Sequence, residues 1–179
     1  MTVVYARKIK TEQIPVLPLR RKLLSESARE LLAYALEREF GLHASDYTEK
    51  KDENGKPYLE GCPVFFNISH SGEYVVCALS DAAVGVDIEK INPISIKVML
   101  RFFGKAILSP RDQMRIWTRY ESYGKFAGIG IPHKTEDIPC FYREFEQIEK
   151  YFITVCSAKD DCSALVICDD DGAEKENDL

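Results

Sequence analysis

Val84-Gly85-Val86-Asp87-Ile88-Glu89-Lys90 alternates apolar with small or charged residues, the period of a strand with one face in a core. Val84, Val86 and Ile88 then face that core, and Gly85, Asp87 and Glu89 share the other face. Two carboxylates on one face repel, which raises the pKa of one of them unless an opposite charge intervenes. A hard cation removes the conflict, and Mg²⁺ takes oxygen ligands of this kind. A solvated strand end with two surface charges has the same Asp-x-Glu spacing.

The run before it, residues 74–79, is also strand-like, and Ser80-Asp81-Ala82 separates it from 83–88. That pattern predicts a hairpin. Further upstream, Phe65-Phe66-Asn67-Ile68-Ser69-His70-Ser71-Gly72 joins an apolar run to short polar residues and a glycine that lets backbone approach a ligand. His70 in this setting suits a charge-assisted hydrogen bond to a phosphate, or the structural role of a histidine near a turn. Downstream, helices are expected over 94–103 and 112–126. In the second, Trp117, Glu121 and Lys125 are four residues apart and line one stripe. Glu followed by Lys four residues later is also an ordinary surface ion pair, but a tryptophan on the same stripe draws it towards a core or pocket.

Towards the N-terminus, Val3-Val4-Tyr5-Ala6 reads as a short strand, followed by a loop punctuated by Pro15 and Pro18. Ser27 and Glu30 have capping-box spacing ahead of the apolar face Leu31, Leu32, Ala35 and Leu36, with Phe40 continuing it and Gly41 as the stop. Residues 49–57 are polar and turn-rich, the signature of a surface loop. Weaker strand signals lie at 151–156 and 164–168, and 169–179 is an acidic tail expected to fray. The mixed order of strands and helices predicts an α+β fold.

The length, 179 residues, suits one compact domain or two small lobes sharing a core. Lys and Arg number 24 against 29 Asp and Glu, a net charge of -5. That balance speaks against a nucleic-acid-binding domain and leaves room for a local basic pocket serving one anionic ligand. No apolar run reaches the roughly 20 residues of a membrane helix, and the N-terminus lacks an apolar signal-peptide core, so a cytoplasmic protein without membrane contact is expected. The six cysteines form no Cys-x-x-Cys pair, which speaks against a zinc finger and for reduced thiols. Cys77, within Val75-Val76-Cys77-Ala78-Leu79, reads as a small buried hydrophobe. His43 and His133 have no comparable context.

Four segments taken in order, Gly55-Lys56-Pro57, Phe66-Asn67-Ile68-Ser69-His70-Ser71-Gly72, Gly85-Val86-Asp87-Ile88-Glu89-Lys90 and Trp117-Thr118-x-x-Glu121-Ser122-x-x-Lys125, resemble the Sfp-type 4'-phosphopantetheinyl transferases. The resemblance spans roughly residues 20–130. It implies an enzyme of the holo-[acyl-carrier-protein] synthase type that moves the 4'-phosphopantetheine arm of coenzyme A onto a serine of an acyl or peptidyl carrier protein, releasing 3',5'-ADP. It implies a monomer of two similar α+β halves related by a pseudo-twofold, with the site in the cleft between them. The halves would be 1–84, on the nucleotide side, and 85–168, carrying the metal site and the catalytic helix.

By the same resemblance, Asp87, Glu89 and Glu121 bind Mg²⁺ with the pyrophosphate of coenzyme A. Lys125 sits at the reacting phosphate, and Ser69 and His70 hold phosphates. Lys56 lies near the adenine and Arg29 near the 3'-phosphate, with Arg20 and Arg21 as possible helpers. Glu121, directly or through a water, is the candidate base for the carrier serine. Three departures stand out. Tyr120 occupies the place of the family's usual Lys before the helix glutamate, Gly104-Lys105-Ala106-Ile107 lacks the family's Glu after the paired phenylalanines, and the chain after Gly130 is short. Tyr120 and the shortened second half motivate an alternative, a degenerate coenzyme A-binding protein without transfer activity.

Overall fold

The computed structural model describes residues 1–11, 14, 16–104, 109–130 and 138–168; His133 and the acidic tail lie outside the described residues. The elements are β1 (Thr2–Lys8), α1 (Leu17–Phe40), β2 (Thr48–Lys51), β3 (Pro57–Glu60), β4 (Phe65–Ser71), β5 (Tyr74–Ser80), β6 (Val84–Lys90), α2 (Ile96–Phe103), α3 (Pro110–Ala127), β7 (Phe141–Phe145), β8 (Tyr151–Ser157) and β9 (Cys162–Cys168). The fold is mixed α+β.

Two sheets carry the structure. The first has the order β4-β5-β1-β9 and the second β6-β8-β7, while β2 and β3 form a separate hairpin. In the first sheet β1 is antiparallel to β5 and parallel to β9. Strand alternation sorts the core into two. Tyr5, Val75, Cys77 and Leu79 pack against Leu31, Leu32 and Leu36 of α1. Val4, Ala6, Val76 and Ala78 pack against Val84, Val86, Ile88, Ile153 and Val155 of the second sheet. The apolar face of β6 is therefore the one its alternation predicts. Its other face lies under α3, where Tyr123 and Phe126 meet Cys156. The order of layers is α1, first sheet, second sheet, α3.

The expected hairpin of 74–79 with 83–88 does not form. β5 pairs with β1 and β4, and β6 pairs with β8. A short connection permits a hairpin, but β6 buries both faces by joining β8, more than 60 residues further along the chain. The first helix also starts ten residues before the Ser27 signal, at Leu17. Pro18 in its first turn suits a position where no N–H partner is needed. Ser27 is buried in mid-helix instead of capping it, and Gly41 ends the helix in a left-handed conformation, as expected. The early turns carry no buried apolar stripe that would mark a helix in the sequence, since Leu17 and Leu19 are exposed. Residues 49–57 are not simply a loop: their ends pair as β2 and β3, and β2 is wholly exposed. All six cysteines are free thiols, with Cys77 fully buried. No helix among the described residues is long and apolar enough to cross a membrane.

Candidate active site

α3 approaches β6 so closely that Gly85 is required there. A Cβ at that position would lie 2.2 Å from the Ser122 carbonyl oxygen and 2.4 Å from the Phe126 nitrogen. Thr118 and Thr154 hydroxyls, 2.7 Å apart and buried, tie the same helix to β8. This contact brings the polar face of β6 against the Glu121–Lys125 stripe. Ligand atoms of Asp87, Glu89 and Glu121 all lie within 4.8 Å of one another.

Asp87 is only 1% exposed. Its Oδ1 accepts from Lys125 Nζ at 2.6 Å and from Ser69 Oγ at 2.9 Å. Lys125 Nζ also donates to Ser69 Oγ at 2.8 Å and to the Val86 carbonyl at 3.1 Å. Asp87 Oδ2 is buried and has no hydrogen-bond partner among the described residues. Burial pushes the Asp87 carboxyl above its ordinary pKa, against the opposing pull of Lys125. Ser71 Oγ donates to Glu89 Oε2 at 2.7 Å, and burial raises Glu89 as well. The Trp117 side chain hydrogen-bonds to Glu121, yet burial and the charges of Asp87 and Glu89 push that carboxyl up to about 7, outweighing Lys125. Three carboxylates thus face one ammonium. An orphaned buried oxygen among three hard-oxygen donors fits a divalent cation, which Asp87, Glu89 and Glu121 would hold.

These groups border a cavity of about 330 Å³ whose lining also includes Ser69, His70, Arg29 and Ser25. The structure thus brings together every predicted site residue except Lys56. Partial burial, then Lys125 and Arg21, hold the His70 imidazole below its ordinary pKa. Arg29 is engaged by Glu49, through Nε and Nη2 at 3.3 Å each, and by Ser25 Oγ at 2.8 Å. Arg20 is turned away, donating to the Ile14 carbonyl at 3.0 Å.

Lys56 lies in a second cavity of about 410 Å³, with Tyr58, Phe65, Phe66 and Phe126. Its Nζ donates to the Phe126 carbonyl at 3.0 Å and the Val84 carbonyl at 3.4 Å, and burial lowers its pKa. It clamps the C-terminal end of α3 to the start of β6. The two cavities follow one seam, since Phe66 and Ile68 on β4 and Phe126 and Lys125 on α3 each line one of the pair. Tyr120 packs edge-on against Phe102 and Phe103 of α2, with centroids 5.9 and 5.3 Å away.

Sequence reading gave no role to Asn67 or Ser71. Asn67 Oδ1 accepts from the Val86 N–H at 2.9 Å, fastening β4 to β6. The signal for both was the alternation of Asn67, Ser69 and Ser71 along one strand.

No family model matches the chain. It is 32% identical over 161 residues to a 4'-phosphopantetheinyl transferase of Bacillus subtilis, covering 73% of this chain and 72% of that protein. The similarity to 4'-phosphopantetheinyl transferase Sfp of Bacillus subtilis (strain 168) is 30% over the same shares. With 4'-phosphopantetheinyl transferase gsp of Aneurinibacillus migulanus it is 42% over 92 residues, 46% of this chain and 38% of the other. Three carboxylates and a lysine gathered over one cavity, together with this extent of similarity, mean that the chain belongs to the Sfp-type 4'-phosphopantetheinyl transferase family.

Proposed function

We propose that the chain transfers the 4'-phosphopantetheine arm of coenzyme A to a serine of an apo acyl or peptidyl carrier protein, releasing 3',5'-ADP, in the manner of a holo-[acyl-carrier-protein] synthase. The observation that carries this reading is the orphaned Asp87 Oδ2 beside Glu89, Glu121 and Lys125 in a cavity whose lining includes His70 and Arg29. Asp87, Glu89 and Glu121 would hold Mg²⁺, which when bound supplies charge neutralisation to the pyrophosphate.

The protein's own groups do the rest. His70 and Ser69 bind phosphate oxygens, and Arg29 meets the 3'-phosphate by exchanging its Glu49 partner. The adenine runs along the α3 seam towards Lys56. The carrier serine Oγ bonds to the phosphorus next to the pantetheine arm while the P–O bond to 3',5'-ADP breaks. The serine proton passes to Glu121, directly or through a water. Lys125 shifts its N–H donation from Asp87 to the leaving phosphate, stabilising the charge that develops there.

In this reading the halves of the family's pseudo-twofold are 1–84, with α1 on β4-β5-β1, and 85–168, with α3 on β6-β8-β7 and with β9 pairing to β1 in the first sheet, in a cytoplasmic monomer. The test is incubation with coenzyme A, Mg²⁺ and a panel of apo carriers, followed by mass spectrometry. Gain of the arm on one carrier is the expected result. No gain on any carrier, with coenzyme A still bound, identifies a binding protein without transfer activity.

A further inference from the structure

β4 and β6 belong to different sheets, yet their polar side chains meet in step. Ser69 donates to Asp87 and Ser71 to Glu89, each 18 residues further along the chain. The two hydroxyls are not equivalent. Ser69 is shared with Lys125. Ser71 Oγ instead accepts from the Lys90 N–H at 3.1 Å. That backbone donor occupies one lone pair, so the hydroxyl proton is directed at Glu89 Oε2, 2.7 Å away.

The three carboxylates differ in how firmly they are held. Asp87 is short, buried and bonded to Lys125 and Ser69. Glu121 stands on a helix beside Trp117. Glu89 has the longer, less buried side chain of the two on β6, at the strand's end. A glutamate in that position loses rotamer freedom only if something holds it.

We propose that Ser71 is a positioning residue for the metal centre: its backbone-oriented hydroxyl fixes Glu89 so that a carboxylate oxygen stays within reach of Asp87 and Glu121. This rests on the Mg²⁺ reading above. Partners of metal ligands typically contribute about 10- to 100-fold in metal affinity.

The experiment is calorimetric titration of the full chain with Mn²⁺ as the probe cation, alongside thermal melts without metal. Ser71→Ala should weaken Mn²⁺ binding by about 10-fold or more while the metal-free melting temperature stays close to wild type. Ser71→Thr, which keeps the hydroxyl, should recover most of the affinity. Wild-type affinity in Ser71→Ala overturns the role of Ser71 alone. So does equal weakening in both variants, or a weakening matched by a comparable drop in metal-free melting temperature. Failure of the wild-type chain to bind Mn²⁺ overturns the metal reading together with this inference, a result distinguishable from the others.

Discussion

The two faces of α3 carry charge in opposite ways. On the outer face, Arg115 meets Glu144 at 2.9 Å, Arg119 meets the same carboxylate at 3.7 Å, and Arg111 pairs with Glu146. Arg111 and Arg115 are exposed, and Arg119, half-buried, also lies over the Tyr142 ring. Each carboxylate there has at least one cation. On the inner face, Asp87, Glu89 and Glu121 share Lys125 in a site where Asp87 is nearly inaccessible. Glu144 is partly buried, 21% exposed, and its Oε1 has no hydrogen-bond partner among the described residues, but two arginines face it. Pairs with exposed cations such as Arg115 are well screened and worth about 0–1 kcal/mol. Buried carboxylates in excess of their cations raise one another's pKa, and a cation from outside is the natural remedy. The same helix therefore carries a structural ladder on one side and a chemically unfinished site on the other.

The sharpest way to break this contrast is Asp87→Asn, which keeps the shape and removes the charge. Losing a hard ligand should cost several kcal/mol of transition-state stabilisation, roughly 10³-fold or more in transfer rate. Rates within a few-fold of wild type, measured at saturating coenzyme A and Mg²⁺, would sink the metal assignment.

Lys125→Met comes next. It preserves the apolar stem and deletes the ammonium. Turnover should fall by roughly 10²-fold, the scale of a positioned acid or charge stabiliser, with a much smaller change in coenzyme A affinity. Unchanged turnover would reduce Lys125 to a counter-ion for Asp87, no different in kind from the arginines outside.

A third test reads stability against pH without metal. The Glu121 carboxyl is pushed from 4.5 up to about 7, chiefly by burial. Folding thus favours its protonated form. The stability this contributes is fully present below 4.5 and is lost as pH rises through about 7. Glu121→Gln does not titrate, so at pH 8 it should be more stable than wild type by roughly 1–2 kcal/mol after allowance for solvent screening, and near parity at pH 5. Melting curves at the two pH values decide it; a difference independent of pH would mean that the folded site does not raise the Glu121 carboxyl.

The smallest effect belongs to the outer face. Arg115→Ala should cost under about 1 kcal/mol and leave transfer close to wild type, as chemical denaturation and the carrier assay would show. A larger loss of activity would mean that the α3–β7 ladder sets the position of Glu121 and Lys125.

The inner site was legible in the sequence because it depends on two local periods. Alternation on 84–90 put Gly85, Asp87 and Glu89 on one face, and four-residue spacing put Trp117, Glu121 and Lys125 on one stripe. Ser69 and His70 were legible from their motif. Strand pairing was not. The short connection after Ser80 is compatible with a hairpin, and nothing local reports that β6 will pair with β8. Residues 49–57 look like a loop because β2 is wholly exposed and needs no apolar face, while the hairpin's buried residue, Leu59, lies beyond them.

Composition and periodicity by themselves determined an α+β chain, the apolar face of β6, and the residue types that make a hard-cation site, because strand and helix periods are properties of adjacent residues. Only the tertiary structure decided that Lys56 clamps the end of α3, that Arg29 rests on Glu49, and that Ser71 steers Glu89. It also decided that burial and the neighbouring carboxylates push the Glu121 carboxyl up to about 7. Each of these depends on which distant backbone or side chain arrives at hydrogen-bonding distance and how much water is excluded when it does, and both are set by the packing of α3 and β4 on β6.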